Sequence, residues 1–176
     1  MTVVAEIAAF LAARTVERGH DVDRQLVETA ALLHDLDKAL PAKDPLRALG
    51  HGYAGAKWLT DRGYEELAPP VEWHPVTRLG DDAAFERFRA ETTLETRLVA
   101  YADKRAAQRL QPLGARFQRW SRRHPELKES LKRARKRAAE LEAEVCELAG
   151  VTPAEVRRLR WVSAATKRSR RPEKAP

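Results

Sequence analysis

With 43% hydrophobic and 34% charged residues in 176, the chain has apolar surface for one ordinary domain and a surplus of solvated surface for a tail. The single cysteine, Cys146, excludes an internal disulfide and suits a reducing cytosol. The net charge of +7 sits in blocks: residues 1–103 carry 12 basic and 18 acidic residues, 104–137 carry 13 and 2, 138–155 carry none and 5, and 156–176 carry 8 and 1.

Alanine, leucine, arginine and glutamate dominate, which favours helices over strands. Residues 3–18 repeat apolar positions with a helical period (Val4, Ile7, Ala8, Leu11, Ala12, Val16). The apolar run "VVAEIAAFLAA" at 3–13 is interrupted by Glu6 and is too short to span a bilayer, and it reads poorly as a signal peptide. A cytoplasmic protein with no membrane partner is expected. Gly19 ends this first helix, and Asp23 is an N-cap for a second over roughly 24–36, which buries Leu26, Val27, Ala30, Ala31 and Leu33. Pro41 and Pro45 bracket a loop, and Gly50, Gly52 and Gly55 lie around the start of a third helix through Trp58 and Leu59. "DRGYEELAPPVEWHPV" reads as turn, short helix and stop. Asp81 to Ala90 forms a short helix, and "TTLETRLVAYADKRAAQRL" a long one.

After Pro125, Leu127, Leu131, Ala134, Ala138, Leu141, Val145 and Leu148 form a heptad seam. Such a seam packs against the domain or against a second chain, in which case its basic first half and acidic second half favour an antiparallel homodimer. The ending "KRSRRPEKAP" has the composition of a disordered tail. The expected architecture is all-α, with a core domain at 1–110, C-terminal helices at 111–150 packed on it or in a dimer, and a basic tail at 151–176.

The chemistry is concentrated at helix ends. His34 and Asp35 close the second helix, where imidazole nitrogen beside carboxylate oxygen suits a divalent metal. The plainer reading is a histidine on the helix dipole beside an exposed carboxylate. His51 lies in "GHGYAGAKWL", where small residues permit close backbone approach to another element. His74 ends a short helix cut off by Pro75. Asp103 follows a core-facing stripe of Leu98, Val99 and Ala102, where an unpaired carboxylate is costly and a metal or an arginine would serve as partner. Each alone is more often structural; together they suggest one centre of nitrogen and oxygen ligands.

"ALLHDLDK", "HGYAGAKWL", "EWHP" and "LVAYADKR", in this order over about residues 1–110, resemble the HD superfamily of metal-dependent phosphohydrolases. The pattern is similar to the subset with two further histidines that includes bacterial dinucleoside-polyphosphate hydrolases. The resemblance implies an all-helical bundle in which His34, Asp35 and Asp103 bind one metal and His51 and His74 a second, with Asp35 bridging. Two positions depart from the family pattern. Its first histidine would fall at or just before Met1, which implies an abbreviated start or a first metal with fewer ligands. Asp37 stands where many relatives have a small residue.

The activity this implies is cleavage of a phosphoester or phosphoanhydride of a nucleotide or small phosphorylated metabolite. One or two divalent ions (manganese, iron, cobalt or magnesium) would serve as cofactor, and Asp35 and Lys38 would be the catalytic residues. Lys38, one turn beyond His34, is placed to meet a phosphate oxygen, and Lys104 and Arg105 are further phosphate-binding candidates. The plainer reading of all three is a solvated helix end. The competing class is a degenerate HD bundle that binds nucleic acid weakly through its basic segments. Phe117 and Trp120, interleaved with Arg116, Arg119, Arg122 and Arg123, could stack bases, as in single-strand binding. The same spacing with Leu113 equally describes a core stripe with arginines outside. The tail, with Arg157, Arg158, Arg160, Lys167, Arg168, Arg170 and Arg171, could add salt-sensitive nucleic-acid binding. A third reading is a dimerising interaction protein built on the heptad helix.

Overall fold

The first helix, α1 (Val3–Glu17), turns Val4, Ile7, Ala8, Leu11 and Ala12 inward, and all five are buried. The computed structural model to which this belongs describes residues 3–106, 110–157 and 159. Gly19, at φ 86°, adopts the left-handed conformation that ends α1 at little cost. In α2 (Arg24–Leu33) the Asp23 carboxylate accepts from the Leu26 amide at 3.0 Å and caps the first turn.

The helix expected to run on to residue 36 stops at Leu33. Asp35 takes φ −100° and ψ 19°, outside helical values, and Leu36–Ala39 winds as a tighter 3-10 turn. This change of winding separates the directions of His34, Asp35 and Asp37.

There follow α3 (Tyr53–Thr60), α4 (Ala68–Trp73), α5 (Val76–Gly80), α6 (Asp82–Glu91), α7 (Leu94–Arg105), α8 (Leu113–Arg123), α9 (Lys128–Ala149) and α10 (Pro153–Arg157). The sequence pattern did not resolve α5, a helix of five residues. Asp81 caps α6 by accepting from the Ala84 amide at 2.8 Å. Among the described residues no strand forms, and the β-type pairing present is one isolated bridge between Ala106 and Leu110. The fold is all-α.

Helix α7 runs through the middle, with Leu98, Val99, Ala100, Tyr101 and Ala102 buried against α1, α2, α4, α8 and α9. The heptad seam is spent within the chain: Leu131, Ala134, Ala138, Leu141 and Val145 of α9 are buried in the same core as α1 and α7. Each large apolar side chain so buried contributes roughly 1.5–3 kcal/mol. At the start of the basic tail expected over 151–176, Pro153–Arg157 forms α10 and Val156 is buried. Tail residues Arg158, Arg160, Lys167, Arg168, Arg170 and Arg171, and the side chain of Arg157, lie outside the described residues. No helix among the described residues is long and apolar enough to cross a membrane.

Candidate metal centre

Four of the five expected ligands sit where a helix stops. His34 caps α2, Asp35 begins the 3-10 turn, His74 caps α4, and Asp103 lies in the last turn of α7. His51 precedes α3 and is brought in by Gly52, whose φ is 84°. A Cβ on Gly52 would lie 2.7 Å from Pro75 Cγ and 2.9 Å from the Glu72 carbonyl, so only glycine lets this loop press against the end of α4.

The three imidazoles share one arrangement. His34 Nδ1–H donates to the Ala31 carbonyl at 2.7 Å, and His74 Nδ1–H to the Val71 carbonyl at 2.7 Å. His51 Nδ1–H donates to the Asp37 carboxylate, 2.9 and 3.1 Å from its two oxygens. A carbonyl or carboxylate only accepts, so each proton is fixed on Nδ1 and each Nε2 presents a lone pair. Those lone pairs converge: His51 Nε2 and His74 Nε2 are 3.1 Å apart, and Asp35 Oδ1 is 3.6 and 3.7 Å from them. Two imidazole lone pairs and a carboxylate oxygen at this spacing repel one another without a cation between them. The point equidistant from the three atoms, the centre of the circle through them, is about 2.0 Å from each, the bond length of a divalent transition metal to nitrogen or oxygen.

The other oxygen of Asp35 faces away from this trio. Asp35 Oδ2 is 3.5 Å from His34 Nε2, which lies 3.9 Å from Asp103 Oδ1. Asp35 thus stands between the His51–His74 pair and the His34–Asp103 pair. Asp103 carries cationic neighbours on both oxygens, Lys104 Nζ at 3.0 Å from Oδ2 and Arg116 at 3.6 Å from Oδ1. Among the described residues, Asp35, His51 and His74 are the group close enough to share one ion, with His34 and Asp103 flanking it.

Charge at the site follows from these contacts. Burial alone would raise the Asp35 carboxyl, but Lys38, together with His74 and His34 whenever these rings carry a second proton in place of a metal, outweighs it and holds it well below the usual carboxylate range. Burial likewise opposes ionisation of Asp103, yet Lys104 and Arg116, with His74 and His34 whenever these rings carry a second proton, lower it to about 2. Burial lowers His74, which favours the neutral imidazole a metal requires.

The phosphate-binding candidates divide. Lys38 is 61% exposed, with Nζ 2.6 Å from Asp35 Oδ1, and is free to swing toward an incoming anion. Lys104 is buried, and its ammonium donates to the His74 carbonyl, to the Ala100 carbonyl and to Asp103, so it braces two ligand-bearing helix ends. Arg105 points elsewhere: it donates to the Tyr101 hydroxyl at 2.6 Å, the Gln111 and Pro153 carbonyls at 3.1 Å, and Glu142 at 3.4 Å. Successive helical residues project about 100° apart, so one neighbour of Asp103 lies under the site and the next locks α7 to α9 and α10.

Two participants escaped sequence reasoning. Asp37, the departure from the family pattern, orients His51 as a carboxylate partner. Arg116 reaches Asp103 from α8, more than ten residues on in sequence. Phe117 is buried in the core, while Leu113 and Trp120 are half-buried against it and Trp120 keeps an edge on the cavity beside Asp103.

Residues 3–108 match the family model described as HD domain. The uncharacterized protein MJ0778 of Methanocaldococcus jannaschii is 32% identical over 106 residues, which is 57% of this chain and 60% of that protein. The chain therefore spans about 60% of the length of this curated relative. No solved structure matches. With the family model covering more than half of the sequence, the chain belongs to the HD-domain family.

Proposed function

We propose that this protein is a metal-dependent phosphohydrolase acting in the cytoplasm on a nucleotide or another small phosphorylated metabolite. The observation that carries the reading is the convergence of His51, His74 and Asp35 on one point about 2.0 Å from each, every imidazole having its proton fixed on the far nitrogen. When bound there, a divalent ion supplies Lewis acidity toward a phosphoryl oxygen and lowers the pKa of a bound water. Asp35 holds the centre and links it to His34 and Asp103. Lys38, in contact with Asp35 yet mostly exposed, receives a phosphate oxygen and neutralises its charge. Manganese, iron, cobalt and magnesium all suit this nitrogen and oxygen set, as one ion or two. The cytoplasmic setting is supported by the single cysteine, Cys146, which is buried and free. A dinucleoside polyphosphate is one substrate within this class, suggested by the order of the motifs.

The test is to measure bound metal in the purified protein and to screen phosphate esters and anhydrides with each of these ions added. Bound transition metal, and turnover abolished in Asp35→Ala, is the expected result. Metal-free protein that stays inert with every ion and substrate overturns the reading.

A further inference from the structure

Helix α8 lies beyond the segment matched by the family model, yet one of its faces lines a cavity that reaches the metal centre at Asp35. This cavity, of about 560 Å³, has His34, Asp35 and Asp103 on one side. Arg116, Arg119, Trp120 and Arg123 form the opposite wall. Their spacing of three, one and three residues places all four on one face of the helix, while Phe117 points into the core.

Most of the charge on that face is uncompensated. Arg119 and Arg123 make no ion pair among the described residues, and Arg116 shares Asp103 with Lys104. Arg116 is stacked on the Trp120 ring at 4.5 Å, which fixes the plane of its guanidinium, and its buried Nε has no hydrogen-bond partner among the described residues. Arg116 and Arg119 repel each other. Three guanidiniums and Lys38 face one half-open space. From Arg116 to Arg123 this wall extends about 10 Å, more than a single phosphate requires. Planar guanidiniums in series match phosphate oxygens two at a time.

We propose that α8 is the binding wall for phosphoryl groups beyond the one being cleaved, with Arg119 and Arg123 as its specificity-determining residues. The ligand is then a small molecule with at least two phosphoryl groups, and Arg116, beside Asp103, meets the end nearest the metal. The substrate statement rests on the phosphohydrolase reading; the anion preference of the wall does not.

Calorimetric titration of the full-length, metal-loaded protein in excess magnesium tests this with inorganic phosphate and methylenediphosphonate, whose P–C–P bridge resists hydrolysis. Methylenediphosphonate should bind about tenfold or more tightly than phosphate. In R119Q/R123Q the ratio should fall to within about twofold, with metal content and melting temperature unchanged. R122Q/K128Q removes the same charge from exposed positions that do not line the cavity and should keep the ratio. Equal binding of the two probes by the wild type, survival of the ratio in R119Q/R123Q, or an equal loss in R122Q/K128Q overturns the proposal. So does tighter binding of a 5′-hydroxyl hexauridylate than of methylenediphosphonate, which would make the wall a nucleic-acid surface. Intact discrimination without turnover of any phosphate ester would uphold the wall and sink the hydrolase reading. Turnover of monoesters without discrimination would do the reverse.

Discussion

Asp37→Ala isolates what a single supporting carboxylate contributes to the metal centre. In the wild type His51 Nδ1–H donates to Asp37 at 2.9 Å, the other carboxylate oxygen lying at 3.1 Å, while the ring itself is only partly buried. Among the described residues this carboxylate is the partner that holds His51 Nδ1, so the alanine variant frees the ring to rotate and to exchange tautomers, and Nε2 is no longer committed to its lone pair. A hydrogen bond to an ionised group contributes about 1.5–3 kcal/mol. The loss of a carboxylate behind a ligating histidine typically costs roughly 10–100-fold in metal affinity. The two figures agree, since each tenfold change is about 1.4 kcal/mol. Asp37→Asn keeps an accepting oxygen without the charge and should lose less than the alanine variant. Manganese and cobalt affinities, measured by competition with a chelating dye and checked by melting temperature, decide the matter. An Asp37→Ala protein that folds and binds metal within about twofold of wild type would refute the reasoning.

Three further outcomes follow from other parts of the structure. Gly52→Ala forces a side chain into a left-handed backbone and against Pro75 Cγ and the Glu72 carbonyl; it should cost roughly 2 kcal/mol by thermal denaturation and weaken metal binding by displacing His51. Arg105→Met leaves Glu142 and the carbonyls of Gln111 and Pro153 without their donor; it should destabilise by about 3 kcal/mol in urea while folded protein keeps its metal content. Glu6 is buried with Oε2 lacking a partner among the described residues, and burial raises its carboxyl above 4.5. The folded state therefore takes up this proton before the unfolded one, so Glu6 costs stability above its folded pKa and that cost is relieved as pH falls through it. Glu6→Gln should stabilise the protein by about 1 kcal/mol at pH 7 and remove that pH dependence, as read by melting scans from neutral pH down through the ordinary carboxylate range.

Local polar chemistry made much of the fold legible. Asp23 and Asp81 cap the helices they precede, and Gly19 ends α1. His34, His74 and Asp35 were legible because they sit at helix ends, and His51 because it lies between Gly50 and Gly52, places where a side chain can turn toward a common point. Asp103 was legible from the buried stripe before it. What was hidden depends on winding and distance. Lys104 and Arg105 are neighbours of Asp103 in sequence, but helical rotation puts one beneath the site and the other in a separate network with Tyr101 and Glu142. The stop of α2 at Leu33 was invisible to periodicity, because Leu36 continues the apolar pattern while the backbone has changed to a 3-10 turn. Arg116 needed the packing of α8 against α7 to be known. The seam of α9 was legible as a seam, but its partner surface on α1, α5 and α7 was set by tertiary packing.

The central claim is that His51, His74 and Asp35 form a site for a divalent cation. Calorimetric titration of manganese into chelator-treated wild type and into the His51→Ala/His74→Ala variant tests it most directly. The expected result is tight binding of at least one ion per chain in the wild type and loss of that site in a variant that retains its helical circular dichroism. Equal manganese binding by the two folded proteins, or none by the wild type, would contradict it.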